Sequence, residues 1–506
     1  MTRRLTWAGF GILATLVGMA AGHLVAAVTD PAASPVLTVG STVIDLTPTP
    51  LKEWAIRTFG SSDKAVLVGS VMLGALLLAA LAGLLARRRF VLGAGVLVLL
   101  VASAAAMALL RPGAAALDVL PAIAAGVVGV AALALLSRSA TREGGPAQTD
   151  GSVQGPSRRA VLITAGALTA TAAVFAGAGQ WVTGRRTTPA GVALPKAADP
   201  APPLPRDLRG TVPGISRLQT ATGDFYRVDT RLTLPIISLD DWTLTIDGDV
   251  DHEVTLTYDD LLAMPLIERD ITLTCVSNDI GGPYVGGARW LGVRLSDLLD
   301  RAGVGRDADQ IFSRDVDGMT ISTPLELAMA QKDAMLAIGM NGEPLPQEHG
   351  FPARLVIPGL YGFISATKWI TRMTLTTYDE KKAYWTDRGW ATEAPIKIAS
   401  RIDTPQSFST IDAGDTFIGG VAWAQTRGIG KVEVQVDGSA WQKAELGPQV
   451  GVDYWRQWYF PWKAPPGEHD LSVRATDLGG EVQTDAKAAP FPNGSSGRQR
   501  IIVTVG

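Results

Sequence analysis

Apolar runs too long and too uniform for a soluble core occupy the start of this chain. Segments 7–28 (WAGFGILATLVGMAAGHLVAAV), 65–86, 90–110 and 114–136 are almost free of charge. Each offers about 20 residues, enough for a helix to cross the hydrocarbon layer. Asp118 is the one acid inside the fourth run and lies near its start. A fifth run, 160–182 (AVLITAGALTATAAVFAGAGQWV), is weaker because it is rich in Ala, Gly and Thr. Residues 1–183 are therefore expected to form an all-α transmembrane anchor of about five helices.

Ser157, Arg158 and Arg159, followed by Ala160, Val161 and Leu162, read as a twin-arginine type signal, a mark of proteins exported after folding around a cofactor. The same residues also serve as a plain cationic flank for a membrane helix. Orientation follows from the cations, because short Arg-rich loops stay in the cytoplasm. Arg3 and Arg4, Arg87 to Arg89, and Arg138, Arg142, Arg158 and Arg159 fall on one side if all the runs cross. Loop 29–64 then lies outside; its Lys52, Arg57 and Lys64 are offset by Asp30, Asp45, Glu53 and Asp63. An odd number of crossings places residues 184–506 outside the cytoplasm. The formal net charge of −3 and the lack of a long basic run elsewhere argue against nucleic acid as a partner.

Residues 184–216 are rich in Pro and Ala and read as an extended linker that provides reach. From 217 the pattern turns to short strands and helices. WTLTIDGDVDHEVTLTY alternates around an Asp-Gly turn, a hairpin signal. LTYDDLLAMP, opened by Tyr258 and Asp259, and RLSDLLDRAG, with Ser296 as N-cap, read as short helices. FPARLVIPGLYGF holds a buried-strand core, Arg354 to Ile357. No regular βαβ repeat appears, so residues 217–390 are expected to form an α+β domain. After about 391 the helical signals stop and strands recur at sandwich spacing, which predicts an immunoglobulin-like domain over 391–506. Its core is expected to contain Trp423, Trp441, Trp455 and Trp462.

The chain has a single cysteine, Cys275, in RDITLTCVSNDIGGPYVGGARWLGVRLSDLL. It cannot pair within its own chain. A small buried core residue is the simplest account, since free Cys is among the most buried types. However, the β-branched run stops at the thiol, Ser277, Asn278 and Asp279 follow, and Gly281, Gly282, Gly286 and Gly287 allow close backbone approach. A thiolate placed this way is a soft metal ligand. Zinc and iron–sulfur sites need more Cys or His than this chain's one Cys and four His supply. A Cys275–His349 nucleophilic pair is a further reading. A single thiolate suffices where the metal arrives already chelated by an organic cofactor.

LTCVSN, ARWLGVRLSDLL and the long motif LAIGMNGEPLPQEHGFPARLVIPGLYGFISATKWITRMTL, residues 336–375, resemble the molybdopterin domain of the sulfite oxidase family. The C-terminal sandwich, with KVEVQVDGSAWQKAEL, is similar to that family's dimerisation domain, so the resemblance covers about 217–506. The membrane part has no counterpart in the soluble members.

The resemblance implies a molybdenum–molybdopterin cofactor (Mo-MPT) with Cys275 as the one protein ligand to the metal. It implies that His349, Arg354, Ser365, Ala366, Thr367 and Lys368 contact the pterin or its phosphate. A guanidinium fork and a point-charge ammonium suit that role. Within so apolar a stretch, Arg354 and Lys368 need partners. The family's early Arg-Asn-His pattern is reduced here to Arg227, Val228 and Asp229, which leaves Arg227 and Asp229 as contacts. Sulfite-oxidising members carry arginines shortly after the cysteine; here Asn278, Asp279 and Ile280 stand there, and an acid beside the metal repels a sulfite dianion.

The expected activity is two-electron oxygen-atom transfer, with molybdenum cycling between oxidation states IV and VI, on a small molecule other than sulfite. The substrate is expected near Cys275, Asn278, Asp279 and Tyr284. A reductase of oxidised sulfur, such as methionine sulfoxide, uses the same cofactor in the reverse direction. A cysteine-dependent hydrolase and a non-catalytic membrane-anchored binding protein are the readings from other classes. With no CxxCH haem motif or iron–sulfur pattern, an external or membrane carrier must exchange the electrons. The sandwich domain suggests a homodimer.

Overall fold

The structure, a computed structural model, describes residues 2–48, 51, 54, 58–59, 63–111, 114–141, 158–186 and 191–506. Ser157 of the twin-arginine motif, Arg142, Lys52, Glu53, Arg57 and linker residues 187–190 lie outside the described residues. The chain divides into two compact units, Met1–Thr188 with Thr230–Ile236, and Pro189–Asp229 with Ile237–Gly506.

In the first unit the helices are α1 (Thr2–Val28), α2 (Pro35–Leu46), α3 (Asp63–Ala86), α4 (Phe90–Leu110), α5 (Leu120–Thr141) and α6 (Arg158–Arg186). Among the described residues, five helical segments are long and apolar enough to cross a membrane: Arg4–Val28, Lys64–Ala86, Phe90–Leu110, Ala116–Ala140 and Arg159–Gly184. The short apolar α2 falls in what the sequence presents as a loop. Helix α1 packs against α3, α5 and α6. Its crossing with α3 depends on two glycines: a Cβ at Gly11 would sit 1.9 Å from the Ala79 carbonyl O, and one at Gly83 would sit 1.9 Å from that of Trp7. Small residues let helices approach closely where lipid is as apolar as the side chains. Asp118 is paired, 3.9 Å from Arg111, whose Nη2 also lies 2.6 Å from Asp30. This unit also includes the segment 230–236, where Lys64 Nζ donates to the Arg231 carbonyl O at 2.8 Å.

The second unit opens with two sheets. One is mixed, formed by β1 (Thr243–Gly248), β2 (Val254–Thr257), β5 (Gln310–Asp315), β6 (Thr320–Pro324) and β10 (Ile370–Thr376) in the order β2-β1-β10-β5-β6. The other is formed by β3 (Leu266–Thr274), β4 (Val285–Arg294), β7 (Met335–Met340) and β8 (Glu343–Pro344), with β9 (Arg354–Val356) also on β7. Short helices α7 (Tyr258–Ala263), α8 (Leu295–Ala302) and α9 (Leu325–Ala330) connect them. Thr257 caps α7 in a capping box with Asp260. Helix α8 starts one residue before the expected cap, because the fully buried Leu295 has to enter the core, and Arg294 at the N-cap makes no side-chain cap bond.

Segment 191–216 is not a free spacer. Ala198 N donates to the Leu266 carbonyl O at 2.8 Å, Glu268 N to that of Asp199 at 2.9 Å, and Arg269 and Arg294 both reach the Asp199 carboxylate. The exposed edge of β3 offered unpaired backbone groups, and a Pro-rich strap satisfies them.

Beyond residue 398 two further sheets follow. β11 (Ala399–Thr404), β13 (Gly414–Trp423), β16 (Glu445–Leu446) and β17 (Arg456–Ala464) form one. β12 (Thr410–Ile411), β14 (Ile429–Val436), β15 (Gln442–Lys443), β18 (Gly467–Asp477) and β19 (Arg500–Val505) form the other. Both contribute to one apolar cluster that includes Ile418, Val432, Trp458, Trp462, Leu471, Val473 and Val503.

The tryptophan assignment needs correction. Trp462 is in this cluster, but Trp423 and Trp455 pack into the core of the preceding α+β sheets. Trp441 is half-buried under the Arg474 guanidinium, 4.4 Å from the ring centroid, and is in neither core. Trp458, fully buried, takes the central place, because the alternation along β17 points 458, 462 and 464 inward. Trp458→Ala is therefore expected to destabilise the C-terminal sheets by about 3–5 kcal/mol, and Trp441→Ala by about 1 kcal/mol or less. Chemical denaturation of the two variants measures the difference.

Candidate functional site

β3 ends at Thr274, and the next residue is the lone thiol. Cys275 N donates to the Tyr284 carbonyl O at 2.9 Å, and Asn278 N donates back to the Cys275 carbonyl O at 3.0 Å. The loop closes through Asn278, which is buried and accepts at Oδ1 from Tyr284 N at 2.8 Å. A Cβ at Gly282 would sit 2.8 Å from that oxygen, which is why glycine stands there. Ser277 N donates to Cys275 Sγ at 3.4 Å. Burial pushes the thiol pKa up, while the Ser277 bond and the Lys368 charge pull it down.

The second part of the site comes from HGFPAR and the stretch after it. Arg354 opens β9 and is only 5% exposed. Its Nη1 donates to the His349 carbonyl O at 3.1 Å, and its guanidinium lies 5.1 Å from the Trp290 ring centroid. No carboxylate pairs with it among the described residues, and burial brings its pKa down to about 10. Lys368 Nζ donates to Asp229 Oδ2 at 2.7 Å and to the Glu348 carbonyl O at 3.2 Å. Burial lowers its pKa to about 8, against the pull of Asp229. Arg227 grips the same carboxylate with two bonds, 2.8 and 3.3 Å. Two cations thus share one carboxylate, and the third, Arg354, has backbone oxygens as its hydrogen-bond partners.

His349, 2% exposed, feels all three. Burial is the largest cause, and Arg354, Lys368 and Arg227 add to it, so its pKa falls to about 4 and the ring is neutral near pH 7. Nε2 lies 3.0 Å from the Thr222 carbonyl O. A carbonyl can only accept, so Nε2 carries the proton. No hydrogen bond joins His349 to Cys275 Sγ among the described residues, which leaves the nucleophilic pair without its geometry.

The structure sorts the expected residues. Arg227, Asp229, His349, Arg354 and Lys368 form one charge cluster that reaches Cys275 through Lys368. Ser365 Oγ donates to the Leu360 and Tyr361 carbonyl O atoms, both at 3.0 Å, and Thr367 Oγ1 lies 2.5 Å from Ser313 Oγ. Both hydroxyls face the fold, and Ala366 N is spent on the Gly362 carbonyl O. Asp279 is exposed, and Asn278 is occupied in holding its loop.

Two tyrosines escaped the sequence reading. Tyr226 stacks on Phe225 and lies edge-on to Tyr284 with centroids 6.4 Å apart. Burial, then the Cys275 charge, hold its hydroxyl protonated, against the pull of Arg354. Tyr361, 4% exposed, is pushed up to about 12 by burial, with Cys275 adding to the shift. Tyr226 directly precedes Arg227, so only its place beside a flagged residue marked it.

A family model described as an oxidoreductase molybdopterin binding domain matches residues 231–385. Mitochondrial sulfite oxidase of Rattus norvegicus is 30% identical over 314 residues, 51% of this chain and 56% of that protein. An uncharacterized oxidoreductase of Bacillus subtilis is 34% identical over 149 residues, 29% of this chain and 72% of that one. This chain belongs to the sulfite oxidase family of molybdopterin oxidoreductases. It spans only 56% of the length of the rat sulfite oxidase. A solved structure, the sulfane dehydrogenase SoxCD from Paracoccus pantotrophus, matches 52% of this chain and 76% of that one at 26% identity, with a TM-score of 0.46.

Membership in the family implies molybdenum–molybdopterin, and the donor set fits it. A strand-end thiol offers the soft ligand, and a buried guanidinium with no acid opposite it needs an anion such as a phosphate. In the protein without cofactor, the unfolded state takes up a proton on His349 from about pH 6.5 downward and the folded state resists to about 4. Stability is therefore full above the unfolded value and falls between these limits, by about 3 kcal/mol at most. His349→Gln should flatten that part of the pH–stability curve, as read by thermal melting between pH 4 and 7.

Proposed function

We propose that this chain is a membrane-anchored, molybdopterin-dependent oxidoreductase that carries out oxygen-atom transfer outside the cytoplasm on a small substrate other than sulfite. The observation that carries this reading is the positive charge near the lone thiol: the buried Arg354 and the largely buried Lys368, with the exposed Arg227, of which only Arg227 and Lys368 pair with the carboxylate of Asp229. Cys275 would ligate the metal. Arg354 and Lys368 would hold the pterin phosphate, with Arg227 and Asp229 fixing the ammonium in place. His349, neutral and anchored to Thr222, adds no further charge. When bound, the cofactor supplies two-electron oxygen-atom transfer.

The five apolar helices support an anchor, and the arginines of the loops support an extracytoplasmic position for residues 184–506. The spans carry His23 as their one imidazole and so cannot hold a haem between two of them. Electrons must pass to or from an external or membrane carrier. The paired C-terminal sheets support an immunoglobulin-like domain, and its resemblance to the family's dimerisation domain suggests a homodimer.

One observation favours the reverse direction, reduction of methionine sulfoxide or another S- or N-oxide. Tyr226 and Tyr361 lie within electrostatic reach of the thiol and both hold their protons firmly. Neutral phenols can donate to the oxygen of an uncharged S-oxide, whereas a sulfite dianion calls for cations beyond those assigned to the pterin phosphate, and no arginine stands at 278–280.

Protein purified from a host that makes the pterin should contain stoichiometric molybdenum, and Cys275→Ser should abolish turnover with the fold intact. Arg354→Met should lower cofactor retention by about tenfold or more. Sulfite and a series of S- and N-oxides, assayed with artificial acceptors and donors, decide substrate and direction. Full turnover by Cys275→Ser would end the proposal, and sulfite as the preferred substrate would overturn its substrate half.

A further inference from the structure

The far edge of β3, opposite β4, has no strand beside its last residues. Its backbone groups there are taken by two turns of the C-terminal sheets. Thr272 N donates to the Asp453 carbonyl O at 3.0 Å, and Trp455 N donates to Thr272 Oγ1 at 2.9 Å. Gln425, in the turn between β13 and β14, donates from Nε2 to the Thr272 carbonyl O at 3.1 Å and to Thr274 Oγ1 at 3.3 Å. The two turns are tied together, since Thr426 N donates to Asp453 Oδ1 at 2.8 Å. Past the thiol, Ser495 Oγ donates to the Asn278 carbonyl O at 2.6 Å and Arg401 Nη1 to that of Gly282 at 2.9 Å. The segment that presents Cys275 is therefore gripped on both sides by the C-terminal sheets.

Gln425 is the one amide of this grip that reaches the residue next to the thiol. It is 2% exposed, and its Oε1 is buried with no hydrogen-bond partner. The amide cannot be turned over to satisfy that oxygen, because Nε2 faces a carbonyl, which can only accept. A buried amide that leaves its oxygen unsatisfied in order to hold two groups of one strand end is fixing a position.

We infer that Gln425 is a positioning residue for Cys275, so that the C-terminal sheets set the place of the thiol in addition to any role in association. The inference rests on the reading of Cys275 as the metal ligand for its consequence, but not for its measurement. As the chain holds one cysteine, thiol alkylation of the full-length protein made without pterin reports on residue 275 alone. Gln425→Met keeps the length of the side chain and removes both donations. It should raise the alkylation rate about tenfold through local opening of 272–275 while leaving the thermal midpoint near that of the parent. In cofactor-loaded protein the same variant should alter the Mo(V) paramagnetic resonance signal, which follows the sulfur–metal geometry. Thr274→Val removes one acceptor and keeps the branched shape; it should move alkylation in the same direction by less, and it carries the test if the first variant does not fold. Alkylation within about twofold of the parent in the folded variants overturns the inference, because a lost constraint of one or two hydrogen bonds exceeds that. Molybdenum retained equally by Cys275→Ser would instead sink the ligand reading and leave the alkylation result standing.

Discussion

Three cations meet near one carboxylate, Asp229, and it bonds to two of them. Arg227 and Lys368 both bond to it, while Arg354 is packed over Trp290 with backbone oxygens as its hydrogen-bond partners. A buried guanidinium without a counter-ion is expensive, and the expense shows in the lowered pKa values of Arg354, Lys368 and His349. An anionic group with several acceptors would reverse that imbalance. Most of the α+β sheets serve to deliver these few side chains to one place: β9 carries Arg354, the turn before it carries His349, and the approach to β10 carries Lys368.

The thiol follows directly on a different element, β3, and is held by a different device. β3 is the edge of its sheet, and edges need partners. The strap at 198–201 covers its first half and turns of the C-terminal sheets cover its last residues. The two halves of this unit are thus joined through the strand that ends at Cys275, and Trp423 and Trp455 cross over from the C-terminal sheets into the α+β core.

Much of this was legible in the residues, for reasons of different strength. Long apolar runs have one physical solution in a bilayer, so the five helical segments were readable in order. Cys275 stood out because it is the only thiol and ends a strand, and Arg354 because a cation in LVIPGLYGF surroundings needs a partner. Side-chain direction was less legible. Ser365 and Thr367 share a motif with Lys368, yet their hydroxyls bond to carbonyls and to Ser313 inside the fold. Asn278 reads as a polar neighbour of the thiol and turns out to be the clasp of its loop. Composition marked Trp423, Trp441, Trp455 and Trp462 alike; which core each joins depends on strand register and on where a domain ends.

The sequence by itself determined what local chemistry dictates: apolar helical segments from uniform hydropathy, strands and turns from alternation, and a lone thiol and a cation in an apolar stretch marked as candidates by residue type and neighbourhood. Only the tertiary structure decided which groups meet. Tyr226 and Tyr361 are 135 positions apart and both feel the charge of the same thiol, and Gln425 reaches strand β3 from 151 positions away. Such meetings arise because open strand edges and buried charges must be satisfied by whatever the fold brings near, and sequence spacing carries no record of that.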